Sequence, residues 1–174
     1  MSVQVSQTGK GTSRRGSGHW VLYVALAVVG ALLTFVGARA QQKLTDDATF
    51  RNLVDEYCTA WSAGNVDAPA KFYAQNDGLV FYDAAPFAYH GWKEYRAGAQ
   101  REFLDGADSI KLAAGKDLKV TRHGLIAWTT VTIHLHEKAK DGKITDVDLR
   151  HTGIWEKRGA KWVMVHEHLS APMA

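Results

Sequence analysis

The sequence predicts an α+β domain in which helices cover one face of an antiparallel sheet, behind an apolar leader. Two patterns carry this prediction. Helical periodicity comes first after residue 41, and long alternating runs come last. A third observation sets the leader apart. Lys10, Arg14, Arg15 and Arg39 are the only charged residues before Gln41, so the remaining 134 residues hold 17 of the 21 basic side chains against all 18 acidic ones. The pI near 9.0 therefore belongs to the leader, and the near-neutral remainder argues against nucleic acid as a partner. Cys58 is the single cysteine, which excludes an internal disulfide framework and a cysteine-based zinc cluster.

Residues 1–40 divide into a polar basic stretch, the uncharged run WVLYVALAVVGALLTFVG from Trp20 to Gly37, and Ala38-Arg39-Ala40. Small residues at the two positions read by a signal peptidase make this a signal peptide, with Gln41 as the new N-terminus. The alternative is a retained membrane anchor over residues 20–37, because about 18 apolar residues is the lower bound for spanning. Either way the basic flank stays cytoplasmic and the domain is exported, periplasmic or secreted. Arg14-Arg15 lacks the apolar residues that a twin-arginine signal places after the pair.

Residues 41–174 read as one domain. Thr45-Asp46-Asp47 marks a helix start, followed by a stripe of Phe50, Leu53, Val54, Tyr57 and Trp61 that Gly64-Asn65 ends. A short helix over Ala68–Ala74, opened by Pro69, leads through the Asn76-Asp77-Gly78 turn to a strand over Leu79–Tyr82. Pro86 breaks the chain, and Trp92, Tyr95, Phe103 and Leu104 mark a third helix. Strands follow over Ile110–Leu112, Leu118–Arg122, Leu125–Glu137, Ile144–Glu156 and Trp162–Ser170.

Read face by face, the last three strands turn Thr129, Val131, Ile133 and Leu135, then Val147 to Trp155 in alternation, then Val163, Val165, Glu167 and Leu169 toward the helices. His151 and Glu167 are the ionisable residues on that inner face, and matching them requires an odd-length loop such as Arg158-Gly159-Ala160. The outer face then carries Trp128, Ile154, Trp162 and Met164 among polar side chains, a pattern that fits a homodimer contact.

The stretches TGIWEKRGAKWVMVHEHLSAP, EYCTAWSAGN, KFYAQNDGLVFYD and YHGWKEYR resemble the SnoaL-like group of the nuclear transport factor 2-like superfamily. The first is also similar to the association domain of calcium/calmodulin-dependent protein kinase II. The resemblance implies a conical half-open barrel of three helices on a strongly curved antiparallel sheet, enclosing a pocket, with frequent dimerisation through the outer sheet face. It fixes no reaction, because this fold hosts isomerases, dehydratases and assembly domains.

Ketosteroid isomerase belongs to the same superfamily. By that resemblance Tyr57 matches its oxyanion donor, and Asp83 stands near the place of its catalytic base; its second aspartate donor has no match here. A carboxylate in an apolar pocket has its pKa raised toward that of a useful base; the alternative leaves Tyr57 in the core stripe and Asp83 capping a turn. His151 and Glu167 form a second polar centre, either a base with its orienting partner, anchors for a ligand, or a structural pair. Trp61, Tyr82 and Trp155 complete an aromatic-lined pocket for a small, partly apolar molecule. The arginines of the kinase association domain's pocket correspond to Ile133, Gly153 and Leu169, so its carboxylate site does not carry over. His134-x-His136 and His166-x-His168 suggest metal only weakly, since the Arg150-bearing strand would lie between them. No Gly-rich phosphate loop or serine elbow is present, and the reading requires no cofactor. Cofactor-independent isomerase, dehydratase or hydrolase chemistry, or non-catalytic ligand binding or assembly, are the two functional expectations.

Overall fold

A computed structural model describes residues 18–83 and 86–172. The chain forms two units, divided between Gln42 and Lys43. One helix, α1 (Gly18–Trp61), runs through the division. Its N-terminal part is long and apolar enough to cross a membrane, and its side chains from Tyr23 to Phe35 are exposed. The sequence places a helix start at Thr45, but no residue there breaks the backbone, so helix continues through it. Arg14-Arg15 lies outside the described residues.

In the second unit α1 is followed by a 3₁₀ turn (Pro69–Phe72), β1 (Val80–Tyr82), β2 (Tyr89–His90) and α2 (Gly91–Ala99). A π-helical turn (Gln100–Leu104) extends α2, closed by the Asp105 amide donating to the Gln100 carbonyl at 2.8 Å. Then come β3 (Ala107–Ala114), β4 (Lys119–His123), β5 (Ile126–Ala139), β6 (Ile144–Arg158) and β7 (Lys161–Ser170).

The strands form one curved, open sheet in the order β2-β1-β7-β6-β5-β3, with β4 pairing the first half of β5 beyond the end of β3. Pairing is antiparallel except that β1 runs parallel to β7. The helical stripe packs on the sheet as its spacing requires: Phe50, Val54, Tyr57 and Trp61 are buried, and the Phe50 ring lies 5.0 Å from Trp162 and 6.0 Å from Trp155. Polar ties fix α1 along the sheet, with Arg122 Nη1 2.8 Å from Asp46 and Arg51 donating to the Gly115 carbonyl at 2.9 Å.

Two sequence expectations about β7 are corrected together. The β6–β7 hairpin closes with Arg158 opposite Lys161, so its loop is the two residues Gly159-Ala160, with Gly159 at φ 60°. The parity is restored by a bulge instead: Ile154 pairs His166 and Trp155 pairs Met164, leaving Val165 extra. The alternation consequently shifts by one across the bulge, so that Met164 and Glu167, three residues apart, both face the core. Trp162 and Met164, assigned from the sequence to the outer face, are buried in the core, as is Glu167, while Val163 and Val165 are only half-buried. The outer face keeps Trp128, 40% exposed and stacked on His123, and the half-buried Ile154.

Candidate functional site: a tyrosine-lined cavity backed by a buried glutamate

Glu167 is 2% exposed and sits at the centre of the polar part of the core. A carboxylate so placed must find donors for its lone pairs or lose its charge. It finds four. Tyr57 from α1 donates to Oε1 at 2.5 Å, and His151 Nε2 from β6 lies 2.9 Å from the same oxygen. Tyr73, just after the 3₁₀ turn, donates to Oε2 at 2.9 Å, and Tyr95 from α2 donates to it at 2.7 Å. His151 pairs Leu169 and Glu167 pairs Gly153, so the two are diagonal neighbours across adjacent strands.

The electrostatics follow from this saturation. Burial alone pushes the Glu167 carboxyl up, but the bonds from His151, Tyr57 and Tyr95 outweigh it and hold it below the ordinary glutamate range. Burial, and next the Glu167 charge, push the Tyr57, Tyr73 and Tyr95 hydroxyls well above the ordinary tyrosine value. The phenols thus keep their protons and point them at the carboxylate. Among described buried atoms His151 Nδ1 is the one with no hydrogen-bond partner. Cys58, beside Tyr57 in sequence, is pushed up to about 12 by burial and then by Asp55 and Glu167, so it stays an inert thiol.

In front of this network lies a cavity of about 200 Å³. Tyr57 and Trp61 of α1, Tyr95 and Ala99 of α2, and Glu102 and Phe103 of the π turn form its helical side. Leu112, Ile133, Leu135, Leu149 and Leu169 from four strands form its sheet side, and Asp83 and Tyr89 close one wall. The extra residue per turn in the π segment marks where the helix presents Glu102 and Phe103 to the cavity. Gly98 makes room for that wall, because a Cβ there would lie 2.0 Å from Tyr89 Cε1. Burial, then the Asp83 and Glu102 charges, push the Tyr89 hydroxyl up to about 12.

Of the site residues singled out in the sequence, Tyr57, Trp61 and Asp83 line the cavity. His151 and Glu167 meet each other behind it, and Tyr57 bridges the two centres. Trp155 is fully buried deeper in the core, its Nε1 donating to Thr129 Oγ1 at 3.0 Å. Tyr82 lies 41% exposed among Phe87, His166 and His168. Sequence reasoning missed Tyr73, Tyr89, Tyr95 and Glu102 as site residues. The available signal was stoichiometric, since one imidazole cannot satisfy the four lone-pair positions of an inward glutamate, and the helical segments before it are rich in tyrosine. On the outer face His134 pairs Asp148 and His136 pairs Asp146, and β6 with Arg150 does lie between the two His-x-His segments.

Comparison with known proteins agrees with this architecture. The SnoaL-like domain family matches residues 50–174. A nuclear transport factor 2-like protein from Salmonella enterica superposes with a TM-score of 0.68 at 15% identity, over 75% of this chain and 93% of that one. A Xanthomonas campestris protein described as a calcium/calmodulin dependent protein kinase II association domain gives 0.62 at 23% identity, over 71% and 86%. Hexachlorocyclohexane dehydrochlorinase LinA-type3 from Novosphingobium barchaimii gives 0.63 at 8% identity, over 77% and 91%. No curated protein is a significant match to the sequence. With most of the second unit inside the family match and the helices, open sheet and cavity arranged as above, the chain belongs to the SnoaL-like domain family.

Proposed function

We propose that the domain binds a small, partly apolar molecule in the cavity between α1, α2 and the sheet, and transforms it without a cofactor, with Asp83 as the proton-accepting group. The carrying observation is the cavity itself: an apolar chamber of about 200 Å³ whose wall includes a carboxylate, Asp83. A neighbouring fold named as a dehydrochlorinase supports proton abstraction coupled to loss of a leaving group as the reaction class. Tyr57 supports the reading by position, since it lines the same chamber.

One observation favours the second reading, non-catalytic ligand binding. The Tyr57 proton is already committed to Glu167 at 2.5 Å, which leaves it no proton for a developing oxyanion. The two readings separate at Asp83→Asn. Under the catalytic reading the substitution lowers turnover at saturating substrate by at least about a hundredfold. Turnover unchanged in Asp83→Asn, with binding retained, would assign the cavity to ligand capture alone.

The apolar N-terminal helix supports delivery of the domain across a membrane, as a cleaved signal or as an anchor. A homodimer through the outer sheet face remains part of the proposal. Of the apolar residues assigned to that face Trp128 and Ile154 remain, and the half-buried Val163 and Val165 take the places of Trp162 and Met164, which lie inside.

A further inference from the structure

The ligand's chemical class can be narrowed from the direction in which the cavity's protons point. Tyr57 and Tyr95 both line the chamber, yet each spends its only hydroxyl proton on Glu167, at 2.5 and 2.7 Å. These two hydroxyls therefore offer the chamber no donor. The other polar lining groups are the Asp83 and Glu102 carboxylates, which are acceptors when ionised, and the Tyr89 hydroxyl. Among the described residues, no lysine, arginine or histidine lines the cavity. Arg101 pairs with Glu102 at 2.7 Å, but both side chains are largely exposed, and Arg101 is not part of the lining. Burial first, and then the Asp83 and Glu102 charges, push the Tyr89 hydroxyl up, while Arg101 acts the other way. The remaining surface is apolar and aromatic, with Trp61 and Phe103 offering ring faces and edges in contact at 6.1 Å.

A chamber with two carboxylates in its lining and two phenol protons committed to Glu167 penalises an anion, which would meet repulsion and find few donors. It rewards a group carrying several N–H donors and a positive charge. Building on the proposed function of this same cavity, we infer that its ligand is a protonated amine on a compact apolar or aromatic body. The ammonium lies toward Asp83 and Glu102, and the apolar body lies against the leucines of the sheet. The saturated Glu167 network is what removes the two phenols as donors, so the lining carboxylates are left to set the polarity of the chamber.

The test uses three probes of matched shape, phenethylamine, phenethyl alcohol and hydrocinnamate, titrated at neutral pH into the full chain in lipid nanodiscs. Affinity is read by calorimetry and site occupancy by chemical shifts of the cavity residues. The expected result is at least about tenfold tighter binding of the amine than of the alcohol, with the carboxylate weakest. Asp83→Asn and, separately, Glu102→Gln should each reduce the amine's advantage several-fold while leaving the alcohol's affinity unchanged. Equal binding of amine and alcohol, or a preference for the carboxylate, overturns the inference while leaving a small-molecule cavity in place. Failure of all three to perturb the cavity residues overturns both together.

Discussion

At the scale of single residues, the saturated Glu167 carboxylate decides the most. Its four donors come from α1, the segment after the 3₁₀ turn, α2 and β6, so one side chain ties most of the second unit together. The pH dependence of stability follows with a definite sign. Glu167 is held below its ordinary value, so its contribution is complete above about pH 4.3 and disappears only as pH falls through the lower folded value. The three tyrosines are displaced the other way, and their contribution is complete below about pH 10 and is lost as pH rises. Above that point unfolding releases protons the native state retains, from these three tyrosines and from Tyr89 and Cys58, both pushed up to about 12, each steepening the loss of stability by about 1.4 kcal/mol per pH unit. Denaturant unfolding between pH 9 and 11 should show this slope, and Tyr73→Phe should lower it by one proton's worth. A slope unchanged in Tyr73→Phe would mean that its hydroxyl does not stay protonated in the fold.

At the scale of elements, the α1 stripe and the alternation of β5 and β6 were legible in the sequence, because periodicity reports a face wherever the element is regular. What escaped was irregular. The bulge at Val165 swaps inner for outer across one residue, so Trp162 and Met164 were assigned to the wrong face although Glu167 was placed correctly. The π turn and the two-residue β2 likewise leave no period to detect, and with them went Glu102 and Tyr89. The merging of leader and first helix into one α1 reflects helix propensity continuing across Gln41-Gln42-Lys43, which a search for start signals reads as a boundary. The contact between α2 and β2 offers a direct test of the cavity wall. Gly98→Ala places a methyl group into the Tyr89 ring and should cost about 1–3 kcal/mol in overpacking, read as a lower urea midpoint at unchanged m-value. An unaltered midpoint would contradict the packing of Tyr89 on Gly98.

At the scale of the whole molecule, a domain of the SnoaL-like family follows an apolar helix long enough to cross a membrane. The family resemblance in TGIWEKRGAKWVMVHEHLSAP and its companions made the fold readable. The cavity's chemistry was not, because it depends on which of several tyrosines donate to a buried carboxylate, and sequence alone does not orient a hydroxyl. The central claim is that the chamber of about 200 Å³ holds a small molecule. Native mass spectrometry of the purified full chain, released from nanodiscs, tests it most directly beside Leu112→Trp, which fills the chamber from its half-buried sheet rim. The account predicts that a small, partly apolar species adds to the mass of the natural chain and is missing from folded Leu112→Trp. The same adduct on both proteins, or its absence from the natural chain even after incubation with phenethylamine, would contradict it.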